Sequence, residues 1–205
     1  MQIDLLRHGA CNGGHIFRGS IDVPLSEQGW QQMSTGLQSL QGPWQSIISS
    51  PSIRCQNFAR TVAEAHGCEL TLDEQLREIH FGDWEGQPVE QVWREQESLC
   101  LAWSRAPDQV TPPNGEPYSA FKARVLTAIA RLSDTYGASD KVLIVTHGGV
   151  IKSLLNVARG EAPADMMQLN IDYGFSASLC MNGPEFNRES VRIIAPEEES
   201  YVYRA

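Results

Sequence analysis

Two histidines in the sequence each follow a short apolar run and precede a glycine. His8 stands in Leu6-Arg7-His8-Gly9, and His147 stands in Thr146-His147-Gly148-Gly149. An imidazole at such a turn can act as a nucleophile, a proton carrier or, when protonated, a cation. On its own, the first motif is more typical of a structural histidine, and the second is equally typical of a strand-to-helix turn that needs glycine.

The second motif also has the features of an anion-binding turn. Gly148 and Gly149 allow close approach of the backbone to a ligand. A helix is predicted just beyond them, so its free N–H groups and its dipole would favour a phosphate, and a protonated His147 would add positive charge. We therefore predict that His147 and Gly148 contribute to a phosphate site.

Arg54 is a further candidate for phosphate binding. It follows Ser49-Ser50-Pro51-Ser52-Ile53 and lies in the first turn of a predicted helix, where a cation opposes the helix dipole. This small cost favours a functional role such as bidentate contact with a phosphate. A salt bridge to a nearby acid is the alternative.

The segment 76–86 combines carboxylates with apolar and aromatic residues. Glu78 has apolar neighbours, and partial burial among them would raise the pKa of its carboxyl, as a proton donor near neutrality requires. On sequence grounds alone, Asp83 and Glu85 could do the same. His80 has no partner at metal-ligand spacing, so we predict a structural or surface role for it and no metal site.

The alternation of apolar and amphipathic segments predicts the elements that position these residues. Predicted strands are 2–6, 47–49, 141–146, 168–172, 176–181 and 189–194, and predicted helices are about 26–40, 52–66, 88–102, 117–136 and 149–158. Ser26 is predicted to cap the first helix, and Ser50 the second, with Pro51 at its first position.

Strands that alternate with helices predict an α/β fold. We expect a three-layer sandwich with a mostly parallel central sheet and helices on both faces. Both histidine motifs would then lie at the carboxyl edge of the sheet, where open α/β sheets bind their ligands.

The length and composition predict one domain over residues 1–205. Hydrophobic residues make up 41% of the 205 residues and charged residues 20%, which is ordinary for a globular chain. Prolines between 107 and 117 separate two helical segments and predict an inserted helical and proline-rich flap at about 80–117. The acidic stretch 197–199 is predicted to be a solvated end.

The charge and the cysteines restrict the partners. A formal net charge of −9 argues against nucleic acid, because the overall field repels polyanions. Five scattered cysteines predict neither disulfides nor structural zinc. The N-terminal residues lack the features of a signal peptide, and no run of eighteen apolar residues occurs, so we expect a cytoplasmic protein without a membrane partner. A monomer and a homodimer are both compatible with the sequence.

Taken together, the motifs resemble those of the histidine phosphatase superfamily, also called the phosphoglycerate mutase-like family. The resemblance runs from about residue 3 to 158 and includes a segment, 24–29, similar to the family's P-L-T-x-x-G. Four motifs match in order: Leu-Arg-His-Gly at 6–9, Ser-Ser-Pro-Ser-Ile-Arg at 49–54, Leu-Arg-Glu-Ile-His-Phe-Gly-Asp-Trp-Glu-Gly at 76–86 and Val-Thr-His-Gly-Gly at 145–149.

The resemblance implies a phosphoglycerate mutase-like fold and a role for each candidate residue. His8 is implied to be the nucleophile that forms a phosphohistidine, and Glu78 the general acid and base. Arg7, Arg54 and His147 are implied to hold the phosphoryl oxygens. No cofactor and no metal are implied, and the expected partner is a small phosphorylated metabolite.

The loop after the first motif departs from the family pattern. Many members read Arg-His-Gly-Glu-Thr followed by an asparagine, whereas this chain has a shorter loop, Ala-Cys-Asn-Gly-Gly at 10–14. Asn12 is the candidate to replace the missing polar ligand of the phosphate. The short loop and the phrase Arg18-Gly19-Ser20 resemble bacterial α-ribazole phosphatases of cobalamin nucleotide-loop assembly, which makes these three residues candidates for substrate binding.

Three other functions stay open at this point. They are a broad-specificity or sugar-phosphate phosphatase, a phosphoglycerate mutase, and an inactive module that binds a phosphorylated ligand.

Overall fold

Six strands form one mixed sheet in the computed structural model, which describes residues 1–196. The acidic stretch 197–199 lies outside the described residues. The strands are β1 (Gln2–Arg7), β2 (Ser46–Ser49), β3 (Glu69–Leu72), β4 (Lys141–Thr146), β5 (Ser176–Met181) and β6 (Val191–Ala195).

The strand order is β3-β2-β4-β1-β5-β6. The pairs β3-β2, β2-β4 and β4-β1 are parallel, whereas β1-β5 and β5-β6 are antiparallel. The prediction of a mostly parallel sheet is therefore confirmed. In the parallel pair β1-β4, Arg7 is in register with Thr146, so the next residue of each chain segment, His8 and His147, lies at the same edge of the sheet.

Helices cover both faces of this sheet, as predicted. They are α1 (Glu27–Gln38), α2 (Ile53–His66), α3 (Val89–Glu95), α4 (Glu97–Arg105), α5 (Tyr118–Thr135) and α6 (Gly148–Arg159). Shorter 3-10 helices span Glu74–Leu76, Gly82–Trp84 and Pro163–Gln168. No helix within residues 1–196 has both the length and the apolar character of a membrane span.

Alternating side chains of the central strands divide the core into two layers. Ile3 and Leu5 pack with α5 and α6 on one face of the sheet. Leu6 packs with α1 and α2 on the other face. Because β1 and β4 are buried on both faces, β4 is a nearly continuous apolar run and β1 is interrupted inside only by the buried Asp4, and this is the pattern that predicts them.

The segment 80–117 carries a smaller apolar cluster of its own. Trp84, Val92 and Cys100 are completely buried there and pack with Phe17. The sequence predicts one helix over 88–102, but the structure has two, α3 and α4, which meet at Gln96. Its backbone angles, φ −128° and ψ 36°, are not helical.

Two other predictions of local structure are wrong, and one strand is missed. Residues 168–172 are not a strand. Leu169 and Ile171 are buried, as they would be in a strand, but they belong to an irregular segment that follows a 3-10 helix. The sequence does not predict β3, since this edge strand pairs through its backbone and leaves most of its side chains in solvent. Ser50 does not cap α2, which begins at Ile53, whereas Ser26 does cap α1, accepting from the Gly29 N–H at 3.1 Å.

Candidate active site

The candidate residues come together where β1, β2 and β4 end. Arg7 is the last residue of β1, and His8 follows it. Ser50 follows β2, and His147 follows β4. Arg54 lies in the first turn of α2, close behind β2. Adjacent parallel strands thus bring residues that are far apart in sequence to one edge of the sheet.

His8 is buried, with 5% of its surface exposed. Its Nδ1 lies 2.8 Å from the carbonyl oxygen of Gly9. Because a carbonyl can only accept, Nδ1 carries the proton and Nε2 keeps its lone pair. Burial, and then the nearby guanidinium groups of Arg7 and Arg54, lower the pKa of His8 well below its usual 6.5. The imidazole is therefore neutral near pH 7, as a nucleophile must be.

His147 lies behind His8, with 5.2 Å between the ring centroids. It is completely buried, and its Nε2 lies 2.8 Å from the hydroxyl oxygen of Ser50. Burial, followed by Arg54 and His8, lowers the pKa of His147 well below 6.5. These surroundings favour a neutral ring, contrary to the sequence expectation of a protonated His147. A nearby anion would favour the protonated form.

Arg54 is 1% exposed and is held by backbone carbonyls. Its Nη1 donates to Ile21 at 2.8 Å and its Nη2 to Gly19 at 2.9 Å. The carboxylate of Asp22 is 3.8 Å from Nη1, so the salt bridge considered as an alternative is also present at longer range. The fork is thus fixed in one orientation.

Arg7 is held by a different set of contacts. It donates to the carbonyl oxygen of Ile171, and its guanidinium lies over the ring of Tyr173, 4.3 Å from the centroid. The buried Nε atoms of Arg7, Arg18 and Arg54 have no hydrogen-bond partner within residues 1–196. Buried donors are rarely left unpaired, and all three of these arginines line one cavity.

A cavity of about 150 Å³ lies among these groups. The predicted site residues that line it are Arg7, His8, Arg18, Gly19, Arg54 and Glu78. His147 does not line it directly but lies beneath His8, and Gly148 faces a second cavity beside Arg7. The combination of a neutral imidazole, three guanidinium groups and a carboxylate can bind a phosphoryl group and move a proton at it.

Glu78 is half-buried at the wall between the two cavities. Its Oε2 accepts from the Gly149 N–H at 3.0 Å, and its Oε1 accepts from the Ile79 N–H at 3.0 Å. Arg124 of α5 donates to the Glu78 carbonyl oxygen at 3.0 Å and to two neighbouring carbonyls. The carboxylate is therefore oriented by α6, and its loop by α5.

The other carboxylates of this loop have structural partners. Glu85 accepts from the backbone N–H groups of Ser20 and Phe81, each at 2.9 Å. Asp83 is exposed and accepts from the side chain of Asn114. Of the three carboxylates proposed from the sequence, only Glu78 lines the cavity that contains His8. His80 is exposed, 3.8 Å from Glu85.

Two predicted ligands do not reach the smaller cavity. The Asn12 side chain is exposed, and it is the backbone carbonyl oxygen of Asn12 that accepts from Arg18, at 3.1 Å. Ser20 is exposed as well and is bound to Glu85. The shorter loop thus brings a guanidinium, rather than the Asn12 amide, to the cavity.

Several residues of the site have no motif that would identify them. Tyr173 stacks on Arg7 and lies 5.7 Å from the His8 ring. Arg124 and Lys152 are isolated cations on helices, where cations are usually solvated. Within residues 1–196, no group of three His, Cys, Asp or Glu side chains is arranged to hold a metal ion.

A second cavity, of about 360 Å³, opens on the other side of Glu78. Most of its lining is apolar or aromatic, and its polar side chains include Arg7, Glu78, Lys152 and Asp172. The apolar and aromatic side chains are Ile79, Phe81, Trp103, Pro107, Tyr118, Phe121, Met166, Met167, Leu169 and Ile171. A group attached to a phosphate beside His8 would extend past Glu78 into this space.

Comparison with known proteins gives one consistent result. The sequence profile of the histidine phosphatase superfamily (branch 1) matches residues 3–193. The adenosylcobalamin/alpha-ribazole phosphatase of Salmonella typhimurium is 30% identical over 178 residues, which are 85% of this chain and 87% of that protein.

Solved structures are similar over nearly the whole chain. A mycobacterial glucosyl-3-phosphoglycerate phosphatase superimposes with a TM-score of 0.82 at 27% identity, over 95% of this chain and 97% of the other. The alpha-ribazole phosphatase of Shigella flexneri gives a TM-score of 0.77 at 27% identity, over 94% and 95% of the two chains.

Proposed function

We propose that this phosphatase hydrolyses small phosphate monoesters without a metal ion, through a phosphohistidine on His8. The chain belongs to the histidine phosphatase superfamily, branch 1. The observation that carries this proposal is the geometry of His8. Its Nδ1 is committed to the Gly9 carbonyl, and its ring lines a cavity with three guanidinium groups.

The first half of the reaction transfers the phosphoryl group to the protein. Nε2 of His8 attacks phosphorus in line, the P–N bond forms, and the bond to the leaving oxygen breaks. The carboxyl of Glu78 donates its proton to that oxygen, so a neutral alcohol leaves. Arg7 and Arg54 bind the phosphoryl oxygens and stabilise their charge, and Arg18 would add a third guanidinium.

The second half regenerates His8. The Glu78 carboxylate takes a proton from a water molecule, the water oxygen attacks phosphorus, and the P–N bond breaks. The products are inorganic phosphate and a neutral His8, while Glu78 again holds a proton. His147 stabilises the transferred group in this proposal, since the negative charge beside it favours its protonated form.

For the substrate we propose α-ribazole 5'-phosphate, in cobalamin nucleotide-loop assembly. Two observations support it: relatives are named alpha-ribazole phosphatases, and the larger cavity has apolar and aromatic walls. A benzimidazole ring is flat and mostly apolar, so it would pack well against such walls. A sugar-phosphate phosphatase is the second candidate, since the mycobacterial neighbour is named for a sugar-bearing phosphoglycerate.

Replacing His8 with alanine tests the mechanism. We expect turnover and the acid-labile, base-stable phosphoenzyme to disappear together, and we expect aryl phosphate hydrolysis by the wild-type protein to persist in a chelator. His66→Ala is the control, because His66 is exposed in the last turn of α2. A phosphoenzyme that survives in His8→Ala would place the nucleophile elsewhere.

A substrate panel tests the specificity. It compares kcat/KM for α-ribazole 5'-phosphate, sugar phosphates and 3-phosphoglycerate, with hydrolysis and phosphoryl transfer measured separately. Faster transfer between phosphoglycerates than hydrolysis would indicate a mutase instead. The cytoplasmic location, the absence of nucleic-acid and membrane partners, and a monomer or homodimer stay predictions.

A further inference from the structure

The larger cavity contains an ammonium that the proposed mechanism does not use. This group belongs to Lys152 of α6. Gly148 and Gly149, at the start of the same helix, line the cavity with it. Helix α6 therefore carries the Lys152 ammonium and also orients the Glu78 carboxylate.

Lys152 and Gly149 are three residues apart on one face of α6, since residues three and four apart are neighbours on a helix surface. The Gly149 N–H holds Glu78 Oε2 at 3.0 Å. Helical side chains lean toward the helix N-terminus, so the long Lys152 side chain extends back toward Gly149 and Glu78. Its backbone is about 5 Å farther along the helix than that of Gly149.

The Lys152 ammonium is not paired with any protein group in the described part of the chain. No hydrogen bond or ion pair joins it to any residue within 1–196, and the two carboxylates that line the same cavity are engaged elsewhere. Glu78 accepts from two backbone N–H groups. Asp172 is exposed and accepts from the Asn170 side chain at 3.2 Å.

The surroundings of Lys152 disfavour its charged form unless hydrogen-bond acceptors are present. Burial, and then the Arg7 guanidinium, lower the pKa of Lys152 to about 8, while Glu78 acts in the opposite direction. At pH 7 the group still carries three N–H donors in a largely apolar space. Partly buried donors of this kind gain most from an acceptor that enters the cavity.

We propose that Lys152 is a specificity-determining residue that donates hydrogen bonds to oxygen atoms on the leaving alcohol. The site would then prefer phosphate esters of polyhydroxy alcohols and hydroxy acids over simple alkyl and aryl phosphates. This inference rests on the proposed function, because the phosphoryl group must lie beside His8 for the alcohol to pass Glu78. The ribose of α-ribazole 5'-phosphate carries such oxygens close to the ester.

Replacing Lys152 with methionine tests the inference, because methionine keeps an apolar chain and removes the ammonium. The quantity to measure is the ratio of kcat/KM for ribose 5-phosphate, or for 3-phosphoglycerate, to kcat/KM for phenyl phosphate. Since a hydrogen bond to a charged group is lost only with the first two substrates, we expect the ratio to fall about tenfold to a hundredfold. Lys152→Arg should restore part of it.

Lys122→Met is the matched control, since Lys122 lies on α5 and does not line either cavity. A larger effect with 3-phosphoglycerate would identify the preferred oxygen as a carboxylate, and a larger effect with ribose 5-phosphate as a hydroxyl. Equal losses with all three substrates would overturn the inference and assign Lys152 a structural role. If the wild-type protein hydrolyses neither these three substrates nor α-ribazole 5'-phosphate, the proposed function itself fails.

The pH dependence gives a second readout. The ionisable groups that line the cavity with Lys152 are Arg7, Glu78, Tyr118 and Asp172. Burial raises the pKa of Tyr118, so its phenol stays neutral where the lysine titrates. We expect the ratio of kcat/KM values to fall as the pH rises through about 8 in the wild-type protein and to be flat in Lys152→Met. A flat wild-type profile would contradict the proposal.

Discussion

Replacing Gly149 with alanine should displace Glu78 while leaving the protein folded. A Cβ atom at position 149 would lie 2.3 Å from Glu78 Oε1, whereas ordinary contacts begin at 3.4 Å. The carboxylate must therefore retreat by about 1 Å. Because it is the end of a flexible side chain, the retreat costs little conformational energy, but it moves the proposed proton donor.

The size of the effect follows from that displacement. A misplacement of about 1 Å can lower a rate by about a hundredfold, and a positioned general acid contributes on the order of 10² to 10⁴. We expect kcat/KM for an alkyl phosphate to fall about a hundredfold, because an alkoxide needs the proton. With p-nitrophenyl phosphate the loss should be far smaller, since p-nitrophenolate leaves without one.

Thermal unfolding separates this effect from loss of the fold. Gly149 lies in the first turn of α6, where alanine favours the helix by up to about 1 kcal/mol. This gain offsets much of what is lost as the hydrogen bonds of the Glu78 carboxylate weaken, so Tm should change little. Gly137→Ala is the matched control, because its Cβ would meet only Asp140, at 3.6 Å. Wild-type activity of Gly149→Ala on the alkyl phosphate, or equal losses on both substrates, would refute the role of Glu78.

Two further predictions concern the cations and the buried rings. Arg54→Lys keeps the charge but loses the fork that reaches Ile21 and Gly19 together. The cation is then no longer held in place, so kcat/KM should fall about tenfold to a hundredfold in steady-state assays. Activity within twofold of wild type would show that these two anchors do not position Arg54 for catalysis. In the folded protein, the pKa values of His8 and His147 are lowered well below 6.5. As the pH falls below 6.5, the unfolded chain therefore binds more protons than the folded one, and the free energy of unfolding should decrease. Urea titrations at pH 7.5 and 5.5 should show a smaller decrease in His147→Gln, and an equal decrease would be evidence against a neutral buried His147.

The sequence predicts which residues lie together at the centre of the candidate site, because buried parallel strands leave a strong pattern. The apolar runs of β1 and β4 end at His8 and His147, and the parallel register places both rings at one edge. Arg54 is predictable for a related reason, as it follows the short buried strand β2. The family motifs include these positions, and the family assignment is confirmed by the profile match.

The periphery of the site depends on tertiary contacts that leave no such pattern. In the loop after His8, Gly13 and Gly14 adopt φ values of +89° and +77°, a region that favours glycine. The loop carbonyls thereby turn toward Arg18, while the Asn12 side chain points into solvent. A sequence shows that the loop is short, but not which of its neighbours faces the cavity. The same holds for Tyr173, which reaches Arg7 from an irregular segment.

The electrostatics of the site are better explained by an anionic ligand than by the needs of folding. Three buried guanidinium groups each leave an Nε without a partner in the described chain, and each unpaired donor lowers stability. The same cations, together with burial, keep His8 neutral. A phosphoryl group would accept from the guanidinium donors and meet an imidazole that is already deprotonated, so one arrangement provides both binding and the nucleophile. We expect discrimination among phosphate esters to depend on the other cavity, where the Lys152 ammonium has no partner within residues 1–196.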